Sequence, residues 1–271
     1  MTKGHTPDGT TEPLVEEVVG AVHPSGASGG AEGGAEGQVT RWTLQLSFGP
    51  WRRIGGPVED TELWLYQPGL THDELRERMA AFRPYDIFRA RVRFRPGGNE
   101  QVQLADLVTT PEPAADDELG ARVKELQVPV TVPHPTLGTF TLDRRVDWFK
   151  VTTDWNGRSV QLSLSRRGCN DEQELFRTAE TLWAGQESWD RQVRAFASSR
   201  LLDLKNDTWL EDGENEVTTT EFEARMALEG VFVFPSRQFE FTFHDDGLFW
   251  GHVIQVSGTL ADGLTHAGIA G

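Results

Sequence analysis

The chain has 271 residues and a formal net charge of −16 at pH 7. That length allows one large or two modest domains, and the acidic balance argues against nucleic acid or anionic membrane as general partners, because no basic excess exists to displace counterions. The single cysteine, Cys169, excludes an intramolecular disulfide, and the absence of an apolar leader or of any run of about 18 apolar residues leads to the expectation of a cytoplasmic protein with no membrane span.

Residues 1–38, which end in "GASGGAEGGAEG" (26–37) and Gln38, carry few apolar side chains and read as a disordered tail, since such a stretch cannot bury enough surface to offset its ordering entropy. Residues 39–108 read as a small strand-rich α+β or barrel-like domain. Trp42, Leu44, Leu46 and Phe48 alternate with polar neighbours as a half-buried strand, and 62–66 forms a second. Thr71 and Glu74 make a capping box that opens a helix. In 86–94 the residues Ile87, Arg89, Arg91 and Arg93 face one way and Phe88, Ala90, Val92 and Phe94 the other. Pro96, Gly97 and Gly98 then turn the chain into a returning strand over 101–108. The Pro- and acid-rich stretch 109–133 is predicted to be a linker with a short helical pattern inside it.

Residues 134–271 read as a second, α+β domain. Asn156–Gly157 lies between two alternating runs, a strong signal for a two-residue hairpin turn with both residues at positive φ. It pairs Trp155 with Arg158 and puts Phe149, Val151, Val160, Leu162 and Leu164 on one face. Two helices follow, the first capped by Asn170 and Gln173, with apolar stripes through Leu175, Ala179 and Leu182 and through Val193, Ala197 and Leu201. A short helix over 219–227 is expected with Thr220 and Glu223 as its capping pair. Three closing strands are expected at 231–234, 239–243 and 249–256. If their connecting loops hold four residues each, Phe232, Phe234, Phe239, Phe241, Phe243, Trp250, His252 and Ile254 share one buried face, with the helices as its cover.

Two stretches carry candidate chemistry. "LLDLKNDTWLEDGENE" (201–216) places Asp203 and Asp207 at i and i+4 on a helix, a spacing at which two carboxylates could bind a divalent ion or act as acid and base. An EF-hand alignment on Gly213 fails, with Thr208, Leu210 and Thr219 at positions 1, 3 and 12 where ligands are needed. The competing reading is that Asn206 or Asp207 satisfies main-chain groups at the helix end while Trp209 tucks against the core. "FTFHDDGLFWGH" (241–252) offers His244, Asp245, Asp246 and His252, but an even-length loop sends His244 and His252 to opposite faces, so no metal site is assigned. Asp203, Asp207, His244 and Asp245 remain the weak catalytic candidates. Trp155, which flanks the exposed turn, and Trp148, on the polar face of the predicted hairpin, join Asn206 and Trp209 as binding candidates. Phosphate-loop, dinucleotide, zinc-protease and nucleophile-elbow motifs are absent, and no cofactor is predicted.

"HPTLGTFTLDRRVDWF", "LLDLKNDTWL", "FEFTFHDDGLFWGHVIQVSGTL" and the closing "AGIAG" together resemble a bacterial domain-of-unknown-function family, number 2262, over about 134–271. The resemblance implies one structural unit in a bacterial protein and supplies no catalytic residue. The combined reading is an α+β protein of two domains plus a disordered tail, with antiparallel sheets and helices packed on one face. Functionally it reads as a non-enzymatic module that binds another protein, to which an immunity or defence-accessory role attaches by association only. The alternative is a metal-dependent hydrolase using the acidic residues and His of the C-terminal domain. A third reading is nucleic-acid binding through the arginine-bearing strand 86–94.

Overall fold

A computed structural model describes residues 14–32, 41–99 and 102–271. The chain divides into two compact units, Met1–Val128 and Pro129–Gly271.

In the first unit, β1 (Glu16–Glu32), β2 (Arg41–Arg53), β3 (Glu62–Leu70), β4 (Ile87–Arg95) and β5 (Val102–Leu107) run in the order β1-β2-β3-β5-β4. A β1–β4 pairing closes them into a Greek-key barrel, and the two-residue β6 (Glu112–Pro113) adds to β4. The tail reading is therefore corrected over 16–32, which form β1. Over 1–13 and 33–38 it lies outside the described residues. The physical reason is a barrel interior that needs bare backbone. A Cβ on Gly20 would stand 2.5 Å from the Phe48 ring, and one on Gly29 would stand 2.4 Å from Leu75. The N-terminal half of β1 supplies Val18 and Val22 to the core with Leu44, Leu46, Phe48, Leu63 and Leu65. Along β4 the alternation is as expected: Phe88, Ala90 and Val92 are buried and Arg89, Arg91 and Arg93 are exposed. Helix α1 (His72–Ala81), inserted between β3 and β4, has the Thr71–Glu74 capping box. The predicted linker 109–133 is also corrected. It holds β6 and α2 (Asp117–Leu126), which is capped by Asp116 and packs on β1 and β2, where Arg52 pairs with Asp116 and Glu118. It also holds most of a further strand, Thr131–His134.

The second unit is one eight-stranded sheet in the order β14-β13-β12-β11-β10-β9-β8-β7, with β7 (Thr131–His134), β8 (Gly138–Asp143), β9 (Trp148–Trp155), β10 (Arg158–Ser165), β11 (Ala227–Phe234), β12 (Gln238–His244), β13 (Val253–Thr259) and β14 (Gly263–Ala270). All pairs are antiparallel except β10–β11, where the chain crosses over through α3 (Glu172–Ala184), α4 (Gln186–Thr208) and α5 (Thr219–Arg225). The β9–β10 hairpin has Trp155 opposite Arg158, with φ +51° at Asn156 and +80° at Gly157. The helices bury Leu175, Ala179, Leu182, Val193, Ala197 and Leu201 against the sheet. Their caps sit near the predicted residues but not on them. Asp171 caps α3, and Thr218 with Glu221 makes the capping box of α5.

The last strands correct the predicted aromatic face. Phe234 pairs with Gln238 around a three-residue turn, and an odd loop reverses parity. Val231, Val233, Phe239, Phe241, Phe243 and Ile254 therefore face the helices, while Phe232 and Phe234 lie on the other face beside Trp148. Residues 249–251 turn rather than extend, so Trp250 and His252 leave that face as well. β14 is an additional strand.

Candidate functional site

The acidic stretch 201–216 is the end of α4 and the loop that folds back over it. Lys205 is completely buried. Its Nζ donates to the Trp209 carbonyl (2.8 Å), an otherwise open acceptor at the helix end, and to Glu214 Oε2 (2.7 Å). The Lys205 bond first, then the Glu211 N–H, holds the Glu214 carboxyl below the usual range. Asn206 mimics a strand neighbour: Oδ1 accepts the Val217 N–H (2.9 Å) and Nδ2 donates to the Val217 carbonyl (3.0 Å). Of the two readings for this segment, main-chain satisfaction describes Asn206. Asp203 and Asp207 are exposed, and their side chains make no hydrogen bond or ion pair with any described residue. Exposed Glu211, Asp212 and Glu216 extend the negative charge of the loop.

The second stretch is organised by Asp245. This carboxylate is fully buried and accepts three main-chain N–H groups, from Gly247 (3.2 Å), Phe249 (2.6 Å) and Gly251 (3.1 Å). Burial alone would raise its pKa, but these bonds outweigh it and leave the carboxyl below its ordinary value. Its acceptor capacity is directed at its own loop, so as a candidate catalyst Asp245 is corrected to a loop clamp. His244 is exposed, and its Nδ1 accepts the Asp246 N–H (3.0 Å). His252 donates from Nδ1 to the Phe249 carbonyl (2.7 Å).

The two stretches meet through aromatic rings. Trp209 lies 5.7 Å from Phe249, 5.1 Å from His252 and 4.8 Å from Trp250. Trp250 is 59% exposed and holds a left-handed backbone, φ +57°. That conformation is unfavourable for a bulky L-residue by about 1–2 kcal/mol. The clamp fixes N–H groups on both sides of it, so the loop keeps Trp250 outward. Sequence reasoning missed this residue by assigning it to a buried strand face. The usable signals were the turn residues around it, Asp246–Gly247 and Gly251, which also take positive φ.

The other tryptophan candidates are elsewhere. Trp148 is half-buried, edge-on to Phe232 (5.4 Å) and Phe234 (5.9 Å) on the open face of the sheet. Trp155, expected at an exposed edge, is only 2% exposed, wedged between Trp183 (4.8 Å) and Phe241 (5.4 Å). It is a core residue because the hairpin end bends onto α3, where Trp183 Nε1 bonds the Asp154 carbonyl (2.7 Å). Among the described residues no three His, Cys, Asp or Glu side chains are grouped to hold a metal ion. No described helix is long and apolar enough to cross a membrane.

Fold and site together define an α+β chain of two units, a closed barrel followed by a helix-covered sheet whose polar loops display an aromatic pair. The chain belongs to the family described as uncharacterized protein conserved in bacteria (DUF2262), whose pattern matches residues 134–269. A further domain of unknown function, DUF7021, matches residues 8–126. No curated protein matches the chain.

Proposed function

We propose that the protein is a non-enzymatic binding module, and that the Trp209–Trp250 surface of the C-terminal unit docks a basic segment of another protein. The observation that carries this reading is Trp250, a large ring kept in solvent on a strained backbone by a buried carboxylate. Folding stability alone favours glycine at such a position and favours burying the ring. Rigid exposed tryptophans are typical anchors of protein interfaces. The segment that carries Trp209 adds five exposed carboxylates with no ion pair among the described residues: Asp203, Asp207, Glu211, Asp212 and Glu216. A partner with lysines or arginines around an apolar or aromatic anchor complements that surface, and the charge would speed its encounter. The hydrolase alternative gains nothing from Asp245, whose oxygens face main-chain donors.

The test compares proteins recovered by wild-type and Trp250→Gly baits from bacterial lysate, with recovery quantified by mass spectrometry. The expected result is at least a tenfold loss of one or a few proteins bearing basic segments, with an unchanged or higher melting temperature of the bait. Identical recovery by the two baits would refute the reading.

A further inference from the structure

The barrel of the N-terminal unit carries a second surface, unrelated to Trp250. Arg89, Arg91, Arg93 and Arg95 alternate along β4 and point outward, about 6.6–6.8 Å apart at the ordinary strand rise. Arg89, Arg91 and Arg93 are exposed and form no hydrogen bond or ion pair through their side chains with any described residue. Arg95 is paired with Asp106, and its guanidinium lies 4.8 Å from the centre of the Tyr66 ring on β3. Tyr66 and Trp64 alternate with buried Leu63 and Leu65, so both rings are on the outside of the barrel and half-exposed. Strand β5 joins the two sets, pairing with β3 at Tyr66–Asp106 and with β4 at Arg93–Asp106.

We infer that this outer face of β3, β5 and β4 binds single-stranded nucleic acid, with the free arginines along the phosphates and Tyr66 stacking a base. The arginine repeat is close to the phosphate repeat of an extended strand. An aromatic ring beside a cationic track is the combination that single strands recognise without sequence readout. The net charge of −16 does not decide the matter, because at physiological salt charges act over only about 8 Å. The acids nearest the track are Asp106, opposite Arg93 and paired with Arg95, Glu17, opposite Arg91, and Glu112, opposite Arg89; none closes an ion pair with the arginine opposite it. They weaken the local field, so the expected binding is modest and strongly dependent on salt.

The test is fluorescence anisotropy of labelled (dT)20 and (rU)20 with the full chain, from 50 to 200 mM salt. Three phosphate contacts predict a fall in affinity of about 20-fold over that range. Arg89→Gln/Arg91→Gln/Arg93→Gln should lose at least tenfold at 50 mM and flatten the salt slope. Tyr66→Leu should weaken binding at constant slope, and Glu17→Gln/Glu112→Gln should tighten it. Melting curves on each variant establish that it is folded. No binding of either oligonucleotide at 50 mM salt would overturn the inference. So would unchanged affinity in the arginine variant, or equal binding of an oligo-aspartate peptide, which would mark a protein-type acidic ligand instead.

Discussion

Replacing Asp245 by alanine removes an acceptor that three main-chain N–H groups share inside the fold. A hydrogen bond to a charged group contributes about 1.5–3 kcal/mol, and a buried donor left unpaired costs about 1–3 kcal/mol. Gly247 and Gly251 flank the exposed part of the loop and can regain water, whereas the Phe249 ring is fully buried and the Phe249 N–H bond is the shortest of the three. The expected loss for Asp245→Ala is therefore about 3–4 kcal/mol, a large share of the roughly 5–15 kcal/mol of an ordinary domain. Asp245→Asn keeps one oxygen for Phe249 and Gly251 but turns an NH2 toward the Gly247 N–H, for a loss of about 1–2 kcal/mol. Urea unfolding followed by tryptophan fluorescence and by far-ultraviolet circular dichroism measures both, with the two units fitted as separate transitions. A change below about 0.5 kcal/mol in Asp245→Ala would show that the carboxylate does not hold the loop.

Four further outcomes follow from the same contacts. Asn206→Ala should destabilise the C-terminal unit by about 2 kcal/mol, from the two lost bonds to Val217, as read by urea midpoints at constant slope. Gly20→Ala should unfold or strongly destabilise the barrel, because its Cβ would overlap the Phe48 ring; a folded barrel of wild-type stability would contradict the place of β1 in the core. Trp250→Gly should leave the melting temperature unchanged or raise it, because relief of the left-handed backbone offsets the lost contact with Trp209. Asp245 and Glu214 both have lowered pKa values, so the unfolded chain takes up protons first on acidification. Their stabilisation is complete above about pH 4–5 and is lost as the pH falls through the lower folded values; a pH series should show Asp245→Asn with a shallower acid loss than wild type.

The elements legible in the sequence were those in which local chemistry and the final packing agree. Asn156–Gly157 sets its own turn and hence the whole β9–β10 register, and Thr71–Glu74 closes its own capping box. The strand 86–94 shows its two faces because only one of them meets the core. Elsewhere the deciding contact is distant in sequence. The glycines of β1 look like a disordered tail until Phe48 and Leu75 are brought against them. The valines and alanine in "VVGAV" were the available signal that a strand begins there. Phe232 and Phe234 were assigned to the wrong face because one residue of loop length reverses a strand. Asn206 could be read as a helix-end residue from its position, but its partner, Val217, is fixed only by the returning loop. Trp250 was hidden by its apolar neighbours, although Asp246, Gly247 and Gly251 mark a turn.

The central claim is that the polar groups of 201–217 and 244–252 build a frame that offers Trp209 and Trp250 to a basic partner. Fluorine NMR of protein carrying 5-fluorotryptophan tests it directly, since the nine tryptophans give separate reporters and Trp250→Gly identifies one of them. Titration with a short peptide of alternating arginine and leucine should shift the Trp250 and Trp209 resonances together, and the shifts should vanish with an oligo-glutamate peptide. Shifts confined to other tryptophans, or none up to millimolar peptide, would contradict the account.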